Sequence, residues 1–416
     1  MSKNLLVDNL RANDAAKGKK ANNYFDQSTS NISYETMNPI FDYYFSYRTY
    51  VTDENDNVVG SYLNKGMPAG TLCIFIGKSK TAKTATAITF ASNIVRPYKN
   101  GFVYHFDVEQ ATTISRIQSI SKFTNSQLID ENKYILRKEK LTLSDLKASI
   151  VEIYSEKINN RKQYEYDTGK LDEFGNPIIM LEPTVVIIDS IASINSGIDG
   201  KKIEELEEIS SQPDKMRLAG EISRFFTEIL EILRAGNITV IAINHIRKKP
   251  QLGFIKEASD IIGLNMDESV PGGNTPLYLA RLLIRFNVPA SNKLNVEDHG
   301  ISGYDIDCKI VKSNVGISDV IFPITFNTKE GISQIRSCFR YAMDNGLING
   351  NKNNYSFASN PELKFTLKNM EEDFKNNRAL YKAMMDTIVP KLSEITTGIS
   401  PEKMAILDEE LNIYNL

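Results

Sequence analysis

Residues 72–95 read LCIFIGKSKTAKTATAITFASNIV. The first five are apolar, as a strand buried on both faces requires, and residues 85–95 are compatible with a helix. Between them, Gly77-Lys78-Ser79-Lys80-Thr81-Ala82-Lys83-Thr84 has the spacing Gly-x4-Ala-Lys-Thr, a phosphate-binding loop with alanine at the second glycine. Consecutive backbone N–H groups ending at a helix N-terminus neutralise phosphate oxygens, so this short stretch predicts strand, anion cradle and helix together. Gly77, Lys78, Ser79, Lys80, Thr81, Ala82, Lys83, Thr84 and Ala85 form the expected cradle. Lys83 is expected to hold β and γ phosphates, and Thr84 to offer its hydroxyl to Mg²⁺. Ala82 restricts the loop where glycine normally sits.

Outward from this stretch, apolar runs recur at 72–76, 102–106 (FVYHF), 184–189 (TVVIID), 238–244 (ITVIAIN) and 277–286 (LYLARLLIRF), alternating with helical patterns. This predicts an α/β fold with a mostly parallel sheet flanked by helices. In YDIDCKIVKS, Ile306, Cys308 and Ile310 alternate with Asp305, Asp307 and Lys309, a half-exposed strand, so the sheet is expected to end antiparallel. Leu218, Ile222, Phe225, Ile229 and Leu233 recur at helical spacing, with Gly236 as the expected C-cap. The polar stretch 164–179, with its Gly-Asn-Pro punctuation, reads as a surface hairpin. Three segments follow: an N-terminal arm at 1–35 with a short amphipathic helix around Leu5, Leu6 and Leu10, a core at 36–330, and a small α-rich C-terminal domain at 331–416.

Composition narrows the class. The 416 residues are 41% hydrophobic and 24% charged, which argues against a disordered, collagen-like or coiled-coil chain. Cys73, Cys308 and Cys338 include no CxxC pair, and His105, His245 and His299 stand at unrelated positions, so neither a disulfide framework nor a histidine metal cage is expected. No stretch approaches eighteen consecutive apolar residues and the N-terminus lacks a secretory h-region, so no membrane partner and a cytoplasmic location are expected. A net charge of −3 means that any contact with a polyanion must come from a local basic patch.

Two acids complete the chemistry. TVVIIDS ends its apolar strand in Asp189, placed where a carboxylate can hold a water on Mg²⁺. Glu109, in HFDVEQ, follows the strand after the phosphate-loop helix, where a carboxylate can orient and deprotonate the attacking water.

Taken in order, GKSKTAKT, HFDVEQ, VIIDSIASI, AINHIRKKP, PGGNTPLYLARLLIRF and KIVKSN resemble the RecA-type recombinases, with the phage UvsX branch the nearest likeness. That branch also tolerates a non-glycine residue at Ala82 and has histidine in the INH element. The resemblance covers about residues 36–350 and implies a RecA-like P-loop ATPase core. It implies that Lys83 and Thr84 bind phosphate and Mg²⁺, that Asp189 is the metal-side acid, that Glu109 activates water and that His245 senses the γ-phosphate. Residues 246–273 then correspond to a loop that grips single-stranded DNA. Arg247, Lys248 and Lys249 supply its basic patch, with Lys256 a further cation, Phe254 or Ile255 an apolar wedge, and Gly272 and Gly273 its far end. Residues 195–212 correspond to a second DNA loop, in which Lys201 and Lys202 stand beside an acidic run.

The resemblance further implies an ATP site completed across a protomer interface by Lys312, whereas Asn314 stands where relatives carry a second basic side chain. Arg116 falls at the position of an adenine-stacking aromatic, and a guanidinium can also stack on a base. The arm, with Tyr24 and Phe25, is expected to dock on a neighbouring copy. Together these imply a DNA-dependent ATPase, phage-encoded and acting in a bacterial host's cytoplasm. It would form helical filaments on single-stranded DNA and catalyse homologous pairing and strand exchange with duplex DNA. A recombination mediator and a single-stranded-DNA-binding protein are the further partners implied. Two alternatives share the core: a hexameric helicase, and a nucleotide-dependent DNA-coating filament with negligible turnover.

Overall fold

The apolar runs become the strands β1 Leu72–Gly77, β2 Phe102–Asp107, β3 Tyr134–Arg137, β4 Thr184–Asp189, β5 Ile238–His245 and β6 Leu282–Asn287, followed by β7 Gly303–Ser313, β8 Val320–Asn327 and β9 Gly331–Ser333. The chain is seen here as a computed structural model describing residues 32–53, 57–172, 175–195, 202–203, 205, 212–248, 262–265, 267–289, 293–314, 316–351 and 354–395. The strands hydrogen-bond in the order β9-β8-β7-β6-β1-β5-β4-β2-β3, and the short strand Lys293–Leu294 joins β7 to make a ten-stranded sheet. From β3 to β6 every neighbouring pair is parallel, and β7, β8 and β9 continue antiparallel.

Alternation along β1 divides the core in two. Cys73 and Phe75 face one layer, with Ile88, Phe90 and Ile94 of α1 (Lys83–Val95). Leu72, Ile74 and Ile76 face the other, with Ile150 of α3 (Leu143–Asn159) and Ile222 of α4 (Gln212–Ala235). The intervening helix α2 (Ile114–Ser121) follows β2. All six residues of β1 are buried, which explains its unbroken apolar run up to Gly77. Burying a side chain the size of Phe75 stabilises the fold by about 3 kcal/mol at most.

The five α4 residues with helical spacing are all buried, and Gly236 caps the helix as expected, its N–H donating to the Ile232 carbonyl at 2.9 Å, with left-handed Asn237 (φ 47) just beyond it. The surface hairpin forms as Glu165–Leu171 paired antiparallel with Pro177–Leu181. One apolar run divides: residues 277–286 are not a single strand, because Pro276 opens the helix Thr275–Leu279 before β6 begins.

Two further antiparallel hairpins, Tyr47–Thr52 with Val58–Asn64 and Ile348–Asn351 with Asn354–Phe357, had no clear periodic signal. In the C-terminal segment, α5 (Gln334–Asp344) and α6 (Arg378–Ser393) bury Phe339, Leu380, Met384 and Ile388 in the core. Ile332 lies on β9, at the edge of the main sheet. Cys338 and Met384 share one apolar cluster with Phe41, Phe322 and Phe75, so this segment and the sheet have a continuous interior. The expected arm helix lies outside the described residues.

Candidate functional site

Because β1 to β6 are parallel, their C-terminal ends meet on one rim, and the candidate residues collect there. Gly77 ends β1 between His245 of β5 and Phe286 of β6. A Cβ on Gly77 would stand 2.6 Å from the Phe286 carbonyl oxygen, so a side chain there would clash with backbone. The loop then turns through left-handed Lys80 (φ 63) and Ala82 (φ 58), and Ala82 is the N-cap of α1. Lys78, Ser79 and Lys80 are exposed, while Thr81 and Lys83 are buried.

Lys83 folds back into the loop. Its Nζ donates to the carbonyls of Gly77 (3.0 Å) and Lys78 (2.8 Å), with Thr81 Oγ1 at 3.4 Å. Burial lowers its pKa to about 8, against the pull of the Asp189 and Glu109 carboxylates. Next along α1, Thr84 Oγ1 donates to Asp189 Oδ2 at 2.6 Å. Burial raises the Asp189 carboxyl to about 6, with the Thr84 bond opposing and the charges of Glu109 and Asp107 reinforcing the shift. A desolvated carboxylate bonded to a threonine hydroxyl is a pair of oxygen ligands of the kind a hard divalent cation takes.

Glu109 lies just past β2, and its backbone N–H donates to the Asp189 carbonyl at 3.3 Å. Its Oε1 accepts from Ser190 Oγ at 2.7 Å, from His245 Nε2 at 2.8 Å and, more weakly, from Ser193 Oγ at 3.5 Å. The His245 bond is the largest cause holding the Glu109 carboxyl down at about 2, and it outweighs burial. Since the carboxylate accepts, Nε2 carries the hydrogen; Nδ1 is buried with no partner among the described residues. The backbone N–H of Ile246 donates to the Gly77 carbonyl at 3.1 Å. The start of the 246–273 segment is therefore bonded to the loop that begins at Gly77, and the residue before it to Glu109.

Beyond this point Arg247–Lys248 pairs antiparallel with Glu268–Ser269. Arg247 is half-buried and Lys248 exposed; Lys249, Phe254 and Lys256 lie outside the described residues, as does Lys201 of the second loop. Gly272 (φ 86) and Gly273 (φ 72) are left-handed, and a Cβ on Gly272 would approach Ile191 Cγ2 to 3.1 Å. Asn244 Nδ2 donates to the Pro271 carbonyl at 2.7 Å, which ties the two glycines to the end of β5.

Two expected site residues stand apart. Lys312, on β7, donates to the Tyr278 carbonyl. Arg116, on α2, donates to the Thr328 carbonyl at 2.6 Å with its guanidinium 5.6 Å from the Phe326 ring centroid, so it is engaged at the end of β8. Sequence reasoning missed Ser190, Ser193 and Asn244. Ser190 directly follows Asp189, yet nothing in its spacing announced a bond to a residue 81 positions away.

Among the described residues no three His, Cys, Asp or Glu side chains converge as a metal-ligating group. No helix there is long and apolar enough to cross a membrane. Comparison with protein-family models and with curated protein sequences finds no match.

Proposed function

We propose that the chain is a RecA-type P-loop ATPase that assembles as helical filaments on single-stranded DNA and uses ATP to drive homologous pairing and strand exchange. The observation that carries this reading is the double tether at the end of β5. Ile246 is bonded to Gly77 at 3.1 Å, and His245 to Glu109 at 2.8 Å. A group near the phosphates thus begins the segment that carries Arg247 and Lys248, so nucleotide state and grip on a polyanion share one element.

In this reading Lys83 leaves the carbonyls of Gly77 and Lys78 to meet the phosphate oxygens. Thr84 and Asp189 would hold Mg²⁺, which would supply neutralisation of phosphate charge. A magnesium site of this kind takes most of its ligands from phosphate and water, so it needs no cluster of three protein acids. Glu109 orients the attacking water and accepts its proton once His245 turns toward the γ-phosphate. While His245 is bonded to it, Glu109 is a weak base, which suits an enzyme that hydrolyses only when assembled on DNA. Lys312 would reach the phosphates of a neighbouring copy, and Arg116 would have to leave the Thr328 carbonyl to offer its guanidinium face to the base.

The test is a strand-exchange assay with homologous and heterologous duplex, alongside phosphate release with and without single-stranded DNA. Joint molecules only with the homologous duplex, DNA-stimulated release and loss of both in Lys83→Ala are expected. Filaments without stimulated release would favour a coating protein, and closed rings a helicase.

A further inference from the structure

The two feet of the 246–273 segment are fastened by different means. The outbound foot is held through backbone, Ile246 to Gly77. The return foot is held by an ion pair between a partly buried arginine on the neighbouring strand and a buried glutamate. Arg285 of β6 donates from Nη1 to Glu268 Oε2 at 2.7 Å and from Nη2 to Oε1 at 2.9 Å. The same Nη1 donates to the Gly263 carbonyl at 3.0 Å. Glu268 Oε2 also accepts the backbone N–H of Asn265 at 2.9 Å, and the Glu268 side chain is only 6% exposed.

The surroundings hold this limb close to the sheet. Gly263 (φ 78) approaches β7 so nearly that a Cβ would stand 2.7 Å from Val311 Cγ1. Burial would raise the Glu268 carboxyl, yet the bonds from Arg285 and Asn265 and the charge of Lys78 keep it below its ordinary value. On β6, Arg285 is paired with Ile76 and the next residue, Phe286, with Gly77. Glu268, in turn, is paired with Lys248. Glu268 therefore lies between the basic foot and the strand that flanks the phosphate loop.

From this we infer that Arg285 and Glu268 are positioning residues. Their forked pair holds the return limb in register with β6, so that a change at Gly77 is passed to Arg247 and Lys248 as movement of one braced unit. A bidentate guanidinium–carboxylate pair suits this role because it fixes orientation as well as distance. The inference rests on the proposed reading of residues 246–273 as a nucleotide-controlled DNA grip.

The experiment measures single-stranded oligonucleotide affinity with and without a non-hydrolysable ATP analogue, together with affinity for a fluorescent ATP analogue, in the full chain. The ratio of the two DNA affinities is compared among wild type, Glu268→Gln and the double variant Glu268→Met with Arg285→Met. The double variant avoids leaving one buried charge unpaired, so it tests the brace without unfolding the chain. Expected is a wild-type ratio in the roughly 5- to 150-fold range of coupled sites, falling toward one in both variants while nucleotide affinity stays near wild type. A merely structural role would lower nucleotide affinity in parallel or leave the ratio intact, and either result overturns the inference alone. A ratio of one in wild type overturns the nucleotide-controlled DNA reading, and this inference with it.

Discussion

His245 Nε2 stands 2.8 Å from Glu109 Oε1, joining the end of β5 to the turn after β2 across the intervening end of β4. That bond holds the candidate base in a stable anionic form, and the next residue, Ile246, is bonded to Gly77. Glu109→Gln can keep a hydrogen bond to His245 while losing the ability to take a proton. Nucleotide binding should be retained and DNA-stimulated phosphate release should fall by about 10²- to 10⁴-fold, as read in a turnover assay. Unchanged release would remove Glu109 from the chemistry.

Ala82 sits at φ 58, a conformation that disfavours any Cβ. Ala82→Gly relieves that penalty but adds freedom to the unfolded chain, so the two effects partly cancel. The net expectation is a stabilisation of about 0.5–1 kcal/mol, seen as a higher urea midpoint at unchanged slope. A lower midpoint would mean that the alanine methyl makes packing contacts worth more than the strain.

Arg247 and Lys248 begin the basic foot, and Lys249 extends it in sequence. Replacing all three by alanine should reduce the slope of log affinity against log salt by about 2, at roughly 0.7 per phosphate contact on a single strand. Titrations of a fluorescent oligonucleotide at several salt concentrations measure this. An unaltered slope would place the DNA elsewhere on the molecule.

Asp42 provides a pH signature away from the site. It lies in the short helix Pro39–Tyr44, and its Oδ1 accepts from Thr36 N at 2.9 Å and Thr36 Oγ1 at 2.8 Å. Burial raises its pKa to about 7, above that of the unfolded chain. The folded state therefore binds the extra proton, and the stabilisation is complete below about pH 4 and lost as pH rises through about 7. Each pH unit in that window is worth at most about 1.4 kcal/mol. Asp42→Asn should flatten the stability profile between about pH 4 and 7 in denaturant melts; a slope equal to wild type would show that another group is responsible.

Much of this was legible locally. A strand covered on both faces must be apolar throughout, so residues 72–76, 184–189 and 238–244 announced themselves, and Gly77 through Thr84 marked where a strand hands over to a helix. The run 277–286 misled because residues buried in a short helix and in a strand look alike without periodicity, and only Pro276 marked the break. The strand Val58–Asn64 of one hairpin is largely exposed, so burial left little pattern there to read.

Sequence by itself settled the long strands buried on both faces and the handover from strand to helix at residues 77–84, because those properties depend on neighbours a few residues apart. Tertiary structure alone decided that Glu109 meets Ser190 and His245, that Glu268 meets Arg285, and that Arg116 is held at the end of β8. The physical reason is strand order: β5 and β2 are brought within one strand of each other by the parallel sheet, and no local rule of composition or spacing encodes which strands become neighbours.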